Sequence, residues 1–330
     1  MNWIEEVIQR KRRFAVFPMV CADHCAYLLN INFAKVATSG EKLAEVLEYG
    51  YRLYKYDMVL VFSDPYIEAE AMGCKIEFAP YPRLVSCTKD FQSRIRKKSG
   101  LETTPAKVLR GSDKRPKHNR IKEILKAVRI LKRNIEAPIF VSIKGPFSLA
   151  CFIGGMERFL KLLLEDNMQA QNVVESALDF QLQYLDMLLD LDVNIMIGDP
   201  MVSTSVISPA LFKEFAFEPL KVLITKIRKS HLIAGIHICG EVRQIINELD
   251  NLHADILSIE DITLKTKTLK MGGVSTNTIL NGSVKDIRNE IENTLSQDHL
   301  ILSTSCDVPV KTPSNNIKRM IKIAREIFDN

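Results

Sequence analysis

"VNIMIGDP" (193–200) and "LIAGIHICGE" (232–241) are two apolar runs that decide the fold, because one amphipathic stretch joins them. Each run is short and rich in β-branched residues, which is typical of a buried strand. Residues 208–229 between them have a helical pattern and begin with Ser208 and Pro209, a common N-cap and first-turn pair. A strand, a helix and a second strand in this order indicate two parallel strands of an α/β fold.

The same alternation runs through most of the chain. The predicted strands, numbered 1 to 8, are 15–20, 57–63, 138–143, 193–198, 232–238, 255–260, 272–276 and 299–305. The predicted helices are 40–55, 118–134, 156–191, 208–229, 240–251, 263–270, 283–295 and 315–328. Eight strands in such an order most economically close into a (β/α)8 TIM barrel. A doubly wound open sheet is the alternative, but no glycine-rich dinucleotide fingerprint follows strand 1.

The length and composition fit one globular unit. The chain has 330 residues, of which 46% are hydrophobic and 26% charged, and α/β barrels of this size commonly form one domain. We therefore expect a single domain over 1–330. Residues 64–117 interrupt the strand–helix alternation and predict an insertion after strand 2, with a hairpin and a lid over one mouth of the barrel.

The charge pattern argues against several classes of partner. The net charge is only +5, and the basic region 94–122 has no interleaved aromatic residues, so we expect a basic surface and no nucleic-acid partner. No run approaches the roughly 18 apolar residues of a membrane span, and the acid-containing N-terminus is unlike a secretory signal. The seven cysteines are an odd number, which fits reduced thiols in a cytoplasmic protein.

The stretch "GIHICGE" (235–241) places His237 and Cys239 two residues apart at the end of strand 5, where both point to one face if the chain stays extended. Cys306 follows strand 8 and would lie at the same mouth of the barrel, where ligands usually bind. One imidazole and two thiolates suit a catalytic zinc with an open fourth position. The alternative is a hydrogen-bonded histidine with buried cysteines, and the spacing alone leaves both open.

Three further polar residues lie at or just after the ends of strands 4 and 6, on either side of strand 5. Glu260 ends strand 6 and is a candidate catalytic residue, either as a displaceable fourth zinc ligand or as a hydrogen-bond acceptor for His237. Asp199, a second candidate catalytic residue, and Ser203, a candidate substrate-binding residue, follow strand 4 and could position a substrate. A surface carboxylate and loop or cap hydrogen bonds are the simpler explanations.

Another group of possible ligands follows strand 1 in "CADHC" (21–25). Cys21, His24 and Cys25 could suggest a second metal site. No further ligand accompanies them, so packing in the core or a loop is the favoured interpretation.

Five stretches resemble the uroporphyrinogen decarboxylase superfamily, and within it the zinc-dependent methylcobamide:coenzyme M methyltransferases. They are "EAEAMGCKIEF", "DPMVSTSVISPALFKEFAFEPLK", "HICGE", "LSIED" and "STSCDVP", and the likeness extends over about 14–328. It implies a (β/α)8 barrel and a Zn²⁺ held by His237, Cys239 and Cys306, with Glu260 as the displaceable ligand. Glu70, in the first stretch, becomes a candidate substrate-binding residue.

The resemblance also implies an activity. The protein would move a methyl group from a methylcorrinoid, carried by a corrinoid partner protein, to a zinc-bound thiolate of a small thiol such as coenzyme M. The segment "MVCADHCAYLL" lacks the arginines with which the decarboxylases grip their acidic substrate. Decarboxylation, methyl transfer from another donor to the corrinoid protein, and a non-enzymatic barrel remain the alternatives, and the oligomeric state stays open.

Overall fold

Eight parallel strands form one sheet, in the order β1-β10-β9-β8-β7-β6-β5-β2. This computed structural model describes residues 3–9, 11, 14–86, 120–296 and 299–329. The strands are β1 (Phe14–Val16), β2 (Val59–Val61), β3 (Lys75–Phe78), β4 (Pro82–Ser86), β5 (Ile139–Lys144), β6 (Asn194–Gly198), β7 (Ala234–Ile238), β8 (Ile256–Ile259), β9 (Leu269–Val274) and β10 (Leu300–Thr304). The curled sheet with its surrounding helices is a TIM-barrel fold, as predicted.

Helices connect the strands and cover the sheet. The described α-helices are Trp3–Ile8, Ala22–Leu28, Phe33–Ala37, Gly40–Tyr54, Ile67–Ala71, Arg120–Asn134, Pro146–Gly154, Met156–Glu165, Asn167–Leu189, Pro209–Leu211, Phe217–Lys229, Ile246–Asp250, Thr276–Asn281, Val284–Leu295 and Ser314–Asp329. Short 3-10 turns lie at Pro200–Val202 and Arg243–Ile245, and a π-helical turn at Phe212–Ala216. Within the described ranges, no helix is both long and apolar enough to cross a bilayer.

The two ends of the sheet order meet through Asp57. The Asp57 N–H donates to the Val16 carbonyl at 2.9 Å, and the Asp57 carboxylate accepts the Val16 N–H at 2.8 Å. These bonds connect the end of β1 to the residue two positions before β2 and pair both backbone groups of Val16.

The helical stretch that opened the sequence argument begins as predicted. The Ser208 hydroxyl accepts the Leu211 N–H at 3.3 Å and caps the first turn. The predicted single helix is divided by the π-helical turn Phe212–Ala216. Pro219 follows this turn, and because proline has no N–H it cannot make the α-helical bond to the Phe215 carbonyl.

One predicted helix is wrong. Residues 263–270 do not form a helix, and the strand expected at 272–276 begins earlier, as Leu269–Val274. The Asp250 carboxylate accepts the N–H groups of Lys267 and Thr268, so these amides are bonded to a side chain instead of to a helix. The early start lets β9 pair with both β8 and β10.

The insertion after β2 contains the predicted hairpin. Strands β3 and β4 pair antiparallel, and the short helix Ile67–Ala71 precedes them. The remainder of the predicted insertion, 87–117, and nearly all of the basic region 94–122 lie outside the described residues. The lid therefore stays a prediction.

Candidate metal centre

His237, Cys239 and Cys306 come together at the carboxyl ends of β7 and β10. His237 Nε2 lies 3.0 Å from Cys239 Sγ, the two Sγ atoms are 3.4 Å apart, and Cys306 Sγ is 3.8 Å from His237 Nε2. Strands β8 and β9 separate β7 from β10 in the sheet, so the curvature of the barrel brings residues 67 positions apart into contact. The structure thus brings together all three sequence-predicted ligands.

The spacing of the three ligand atoms fits a tetrahedral metal ion. Zinc–sulfur bonds of about 2.3 Å and zinc–nitrogen bonds of about 2.0 Å put neighbouring ligand atoms roughly 3.5 to 3.8 Å apart. The observed distances run from 3.0 to 3.8 Å. Moving the ligand atoms apart by a few tenths of an ångström would therefore make room for an ion. Across the described residues, this is the one group of three or more His, Cys, Asp and Glu side chains with such a geometry.

A serine fixes the His237 ring. His237 Nδ1 lies 2.9 Å from Ser258 Oγ, and the two residues are direct register partners on β7 and β8. Ser258 is fully buried, so its hydroxyl has few other partners. When Nδ1 carries the proton and donates to Ser258, Nε2 presents its lone pair to the two sulfurs, as a metal ligand must.

A hydrogen bond joins the two thiols. Either sulfur can donate it, and this bond is the main reason why the pKa of Cys239 is lowered. The same bond, together with burial, raises the pKa of Cys306. Because a metal-bound cysteine is a thiolate, a cation binding between the two sulfurs would displace their protons.

Gly240 bends the chain directly after Cys239. Its φ of +83° lies in the left-handed region, and a Cβ at this position would lie 2.8 Å from Ser203 Oγ. The Gly240 N–H donates to Glu260 Oε1 at 2.6 Å. Ser203 Oγ donates to the Glu241 carbonyl at 3.0 Å and accepts the Ser205 N–H at 3.2 Å. Ser203 and Glu260 thus hold the loop that carries Cys239, and the Glu260 carboxylate is outside the three-atom cluster.

Asp199 is fully buried and is bonded to the backbone of His237. Its N–H donates to the His237 carbonyl at 3.0 Å, and Asp199 Oδ1 accepts the Ser148 N–H at 2.7 Å, which anchors the start of the helix Pro146–Gly154. Burial raises the pKa of Asp199 to about 6, against the lowering effect of the Ser148 bonds and the Lys144 charge. No hydrogen bond reaches Asp199 Oδ2 from the described part of the chain.

Comparison with a family profile shows to which protein family the chain belongs. The profile of the uroporphyrinogen decarboxylase (URO-D) family matches residues 12–327. The chain belongs to this family.

Methyltransferases are among the proteins to which this chain is similar. The chain is similar to the methylcobamide:CoM methyltransferase MtbA of Methanosarcina mazei, with 27% identity over 302 residues, 86% of this chain and 84% of the relative. It is also similar to the methylcobamide:CoM methyltransferase MtaA of Methanosarcina barkeri, with 23% identity over 304 residues, 88% of this chain and 86% of the relative. The solved structure of a methyltransferase from Methanosarcina mazei matches with a TM-score of 0.84 at 20% identity, over 98% of this chain and 97% of that one, which shows a shared fold.

Glu70, the candidate substrate-binding residue, takes part in an ion-pair network. Its carboxylate pairs with Arg120, which also pairs with Asp64, and the Arg120 guanidinium lies 5.2 Å from the centre of the Phe78 ring. The Arg120 side chain is only 1% exposed. The structure therefore places Glu70 in a buried ion-pair network next to the hairpin, and no contact within the described ranges joins it to the metal cluster.

The group after β1 has the features of core packing. His24 is fully buried, with Nδ1 3.0 Å from the Val310 carbonyl and Nε2 2.8 Å from the Tyr54 hydroxyl. Burial lowers the pKa of His24 and raises the pKa of Cys25 to about 12. Because both ring nitrogens have partners and the thiols are held neutral, Cys21, His24 and Cys25 fit the packing interpretation.

Sequence reasoning missed Ser258. It lies in "LSI", inside an apolar strand, where a lone serine carries no evident role. The one signal in the sequence is that Ser258 lies on strand 6. A barrel puts this strand next to strand 5, which carries His237. Only the register of β7 on β8 shows that the two side chains meet.

Proposed function

We propose that this URO-D family protein is a zinc-dependent methyltransferase of the cytoplasm, which moves a methyl group from a methylated corrinoid to a small thiol such as coenzyme M. The observation that carries the proposal is the cluster of His237, Cys239 and Cys306 at the mouth of the barrel. Two relatives are named as methylcobamide:CoM methyltransferases. The six cysteines of the described ranges are all free thiols, which suits a reducing compartment.

The donor set favours zinc. One neutral imidazole and two thiolates balance the charge of a divalent zinc ion and leave a fourth position for a substrate. Glu260 is the proposed occupant of that position before the thiol arrives. Its carboxylate is bonded to Gly240, the residue next to Cys239, which supports this proposal.

The chain's own residues prepare the thiol for attack. Bound zinc would lower the pKa of the substrate thiol, which then reacts as a thiolate at neutral pH. Ser258 holds the His237 ring in the ligand orientation, and Asp199 anchors the backbone behind it. Asp199 is thus proposed as a positioning residue, and Ser203 as a support for the loop instead of a direct substrate contact.

The methyl transfer itself balances without a further reactant. The thiolate sulfur forms a bond to the methyl carbon as the cobalt–carbon bond breaks, and both electrons of that bond stay on the corrinoid as Co(I). The products are a methyl thioether and a reduced corrinoid. Because a corrinoid is bulky, we propose that a partner corrinoid protein presents it at the open mouth of the barrel.

Decarboxylation, the activity for which the family is named, has less support. The segment 19–29 forms the helix Ala22–Leu28 and contains no arginine. The buried Arg120 is already paired with Asp64 and Glu70. A substrate with many carboxylates would therefore find no free arginine at either place.

Zinc analysis and cobalamin spectroscopy test the proposal together. Purified wild-type protein is expected to hold one zinc per chain and to convert methylcobalamin to cob(I)alamin when a thiol is supplied. Cys306→Ala should lose zinc and at least about a hundredfold of this activity, whereas Cys74→Ala, which removes a buried thiol elsewhere, should keep both. Wild-type protein without stoichiometric zinc, or an active Cys306→Ala variant, would overturn the proposal. A preference for methoxylated or methylamine donors with Co(I) corrinoid would show transfer in the opposite direction.

A further inference from the structure

Lys144 lies in the same row of side chains as the metal ligand His237. The last residue of β5, Lys144, is the register partner of Gly198 on β6, and Gly198 is the register partner of His237 on β7. Register partners on neighbouring parallel strands point to the same face of the sheet. The Lys144 side chain therefore projects to the face on which the three ligands meet.

Because Gly198 has no side chain, the Lys144 ammonium has room over β6. A Cβ built on Gly198 would lie 3.4 Å from Lys144 Nζ, closer than to any other atom. The ammonium thus lies over the strand between Lys144 and His237, one strand spacing of about 4.8 Å from the strand of His237.

The Lys144 side chain is nearly buried, and its ammonium has no bonded partner among the described residues. Lys144 is 7% exposed, and from the residues that the structure describes no hydrogen bond or ion pair reaches Nζ. Its nearest recorded contact is the Phe62 ring, 5.3 Å away at the centroid. Buried charges in proteins are normally paired with an opposite charge or hydrogen-bonded. No anionic group of the described residues is bonded to the Lys144 ammonium. A bound ligand could supply one.

Two nearby carboxylates, Glu68 and Asp199, each have one oxygen bonded to a backbone N–H, whereas Asp199 Oδ2 has no hydrogen-bond partner among the described residues. Glu68 Oε1 accepts the backbone N–H of Lys144 at 2.8 Å, and Asp199 Oδ1 accepts the Ser148 N–H at 2.7 Å. Burial raises the pKa of both groups, and the Lys144 charge acts against this effect in each case. Both carboxylates act on Lys144 from a distance, and neither occupies its hydrogen-bonding positions.

We propose that the Lys144 ammonium binds the anionic group of the thiol substrate and so sets a preference for thiols that carry a carboxylate or a sulfonate. This inference rests on the proposed function, because it assumes that the thiol sulfur binds at His237, Cys239 and Cys306. We expect the favoured thiol to have two or three carbon atoms between its sulfur and its anionic group, because Lys144 and His237 lie in one row on strands separated only by β6. Lys144 is then a specificity-determining residue.

A matched pair of thiols tests this role. The probes are 3-mercaptopropionate and its neutral counterpart of the same length, 3-mercaptopropan-1-ol, each supplied with methylcobalamin to the zinc-loaded protein. Wild type is expected to favour the anionic thiol in kcat/KM. In Lys144→Gln this preference should fall about tenfold to a hundredfold, mostly through the KM of the anionic thiol. Lys144→Arg should keep most of it, and Lys161→Gln, which removes a lysine from an exposed helix face, should keep all of it.

Calorimetric titration of the zinc-loaded protein with the two thiols gives a readout that needs no turnover. A loss of the anionic preference in Lys144→Gln supports the inference even when no thiol is methylated, in which case the proposed function alone fails. The alternative is that one water bridges Lys144 to a neighbouring carboxylate, since Lys144 also lines a cavity of about 10 Å³ with Asp64 and Glu68. Equal affinity of wild type for both thiols, or the wild-type preference in Lys144→Gln, would overturn the inference while turnover continues.

Discussion

His237 and Ser258 meet across β7 and β8, with 2.9 Å between Nδ1 and Oγ. The contact orients an imidazole whose other nitrogen faces two sulfurs. We expect Ser258→Ala to weaken zinc binding by about 10- to 100-fold, because the ring loses the bond that fixes its orientation. Competition with a chromophoric chelator measures the affinity.

The matched control for this prediction is Ser303→Ala. Ser303 is likewise fully buried, in β10, but its hydroxyl has no hydrogen-bond partner in the described part of the chain. The Ser303→Ala variant should bind zinc as wild type does. Equal zinc affinity of both variants and wild type would show that Ser258 does not orient the ligand.

The turn after Cys239 requires glycine for two separable reasons. In Gly240→Ala the alanine would have to adopt a φ of +83°, and its Cβ would lie 2.8 Å from Ser203 Oγ. In Gly155→Ala the alanine would adopt a similar φ of +80°, but no atom lies within 4 Å of its Cβ. We expect Gly155→Ala to lower the free energy of unfolding by about 1–2 kcal/mol. Gly240→Ala should lower it by about 2–4 kcal/mol, because overpacking adds to the strain.

Urea unfolding of the two glycine variants gives these free energies. Only Gly240→Ala should also weaken zinc binding, because its loop carries Cys239. A Gly240→Ala variant as stable as Gly155→Ala would mean that Ser203 moves aside at little cost.

The barrel strands could be predicted because each is a short apolar run, as in "VNIMIG" for β6. The helix Pro146–Gly154 could not, because "PFSLACFIG" is buried on nearly all sides and has no amphipathic period. The helix expected at 263–270 failed because the distant Asp250 carboxylate binds its amides. Local pattern thus predicts an element well only where no distant side chain competes for its backbone.

The metal cluster was predictable only in parts. His237 and Cys239 follow from the two-residue alternation of a strand. The addition of Cys306 depended on a barrel topology that places the ends of strands 5 and 8 at one mouth, and on the family resemblance. Ser258 and Lys144 depend on the register between strands, which no single strand encodes. A lysine at the end of a strand is more often exposed, so its burial here had no signal in the sequence.

Asp199 should give the protein a specific pH dependence. Its pKa is raised from 3.8 to about 6 by burial, so the folded state holds its proton more tightly than the unfolded state does. The stabilising effect of this proton is fully present below about pH 4 and is lost as the pH rises to about 6. At pH 7 the ionised carboxylate then costs up to about 3 kcal/mol.

The variant Asp199→Asn isolates this effect, because an amide does not ionise. The difference in unfolding free energy, variant minus wild type, should rise between about pH 4 and pH 6 and then level off. Chemical denaturation at a series of pH values measures it. A difference that stays constant over this range would show that Asp199 is already ionised in the folded protein at pH 4.

The buried network of Arg120, Asp64 and Glu70 should contribute mainly to stability. Arg120→Met leaves two buried carboxylates without their cation and is expected to lower the free energy of unfolding by about 3–5 kcal/mol. Glu70→Gln keeps an acceptor oxygen for Arg120 and leaves the Asp64 pair in place, so about 1–2 kcal/mol should be lost. Denaturant unfolding checks both values. A Glu70→Gln variant with full stability but a raised KM for the thiol would instead support the substrate-binding role expected from the sequence.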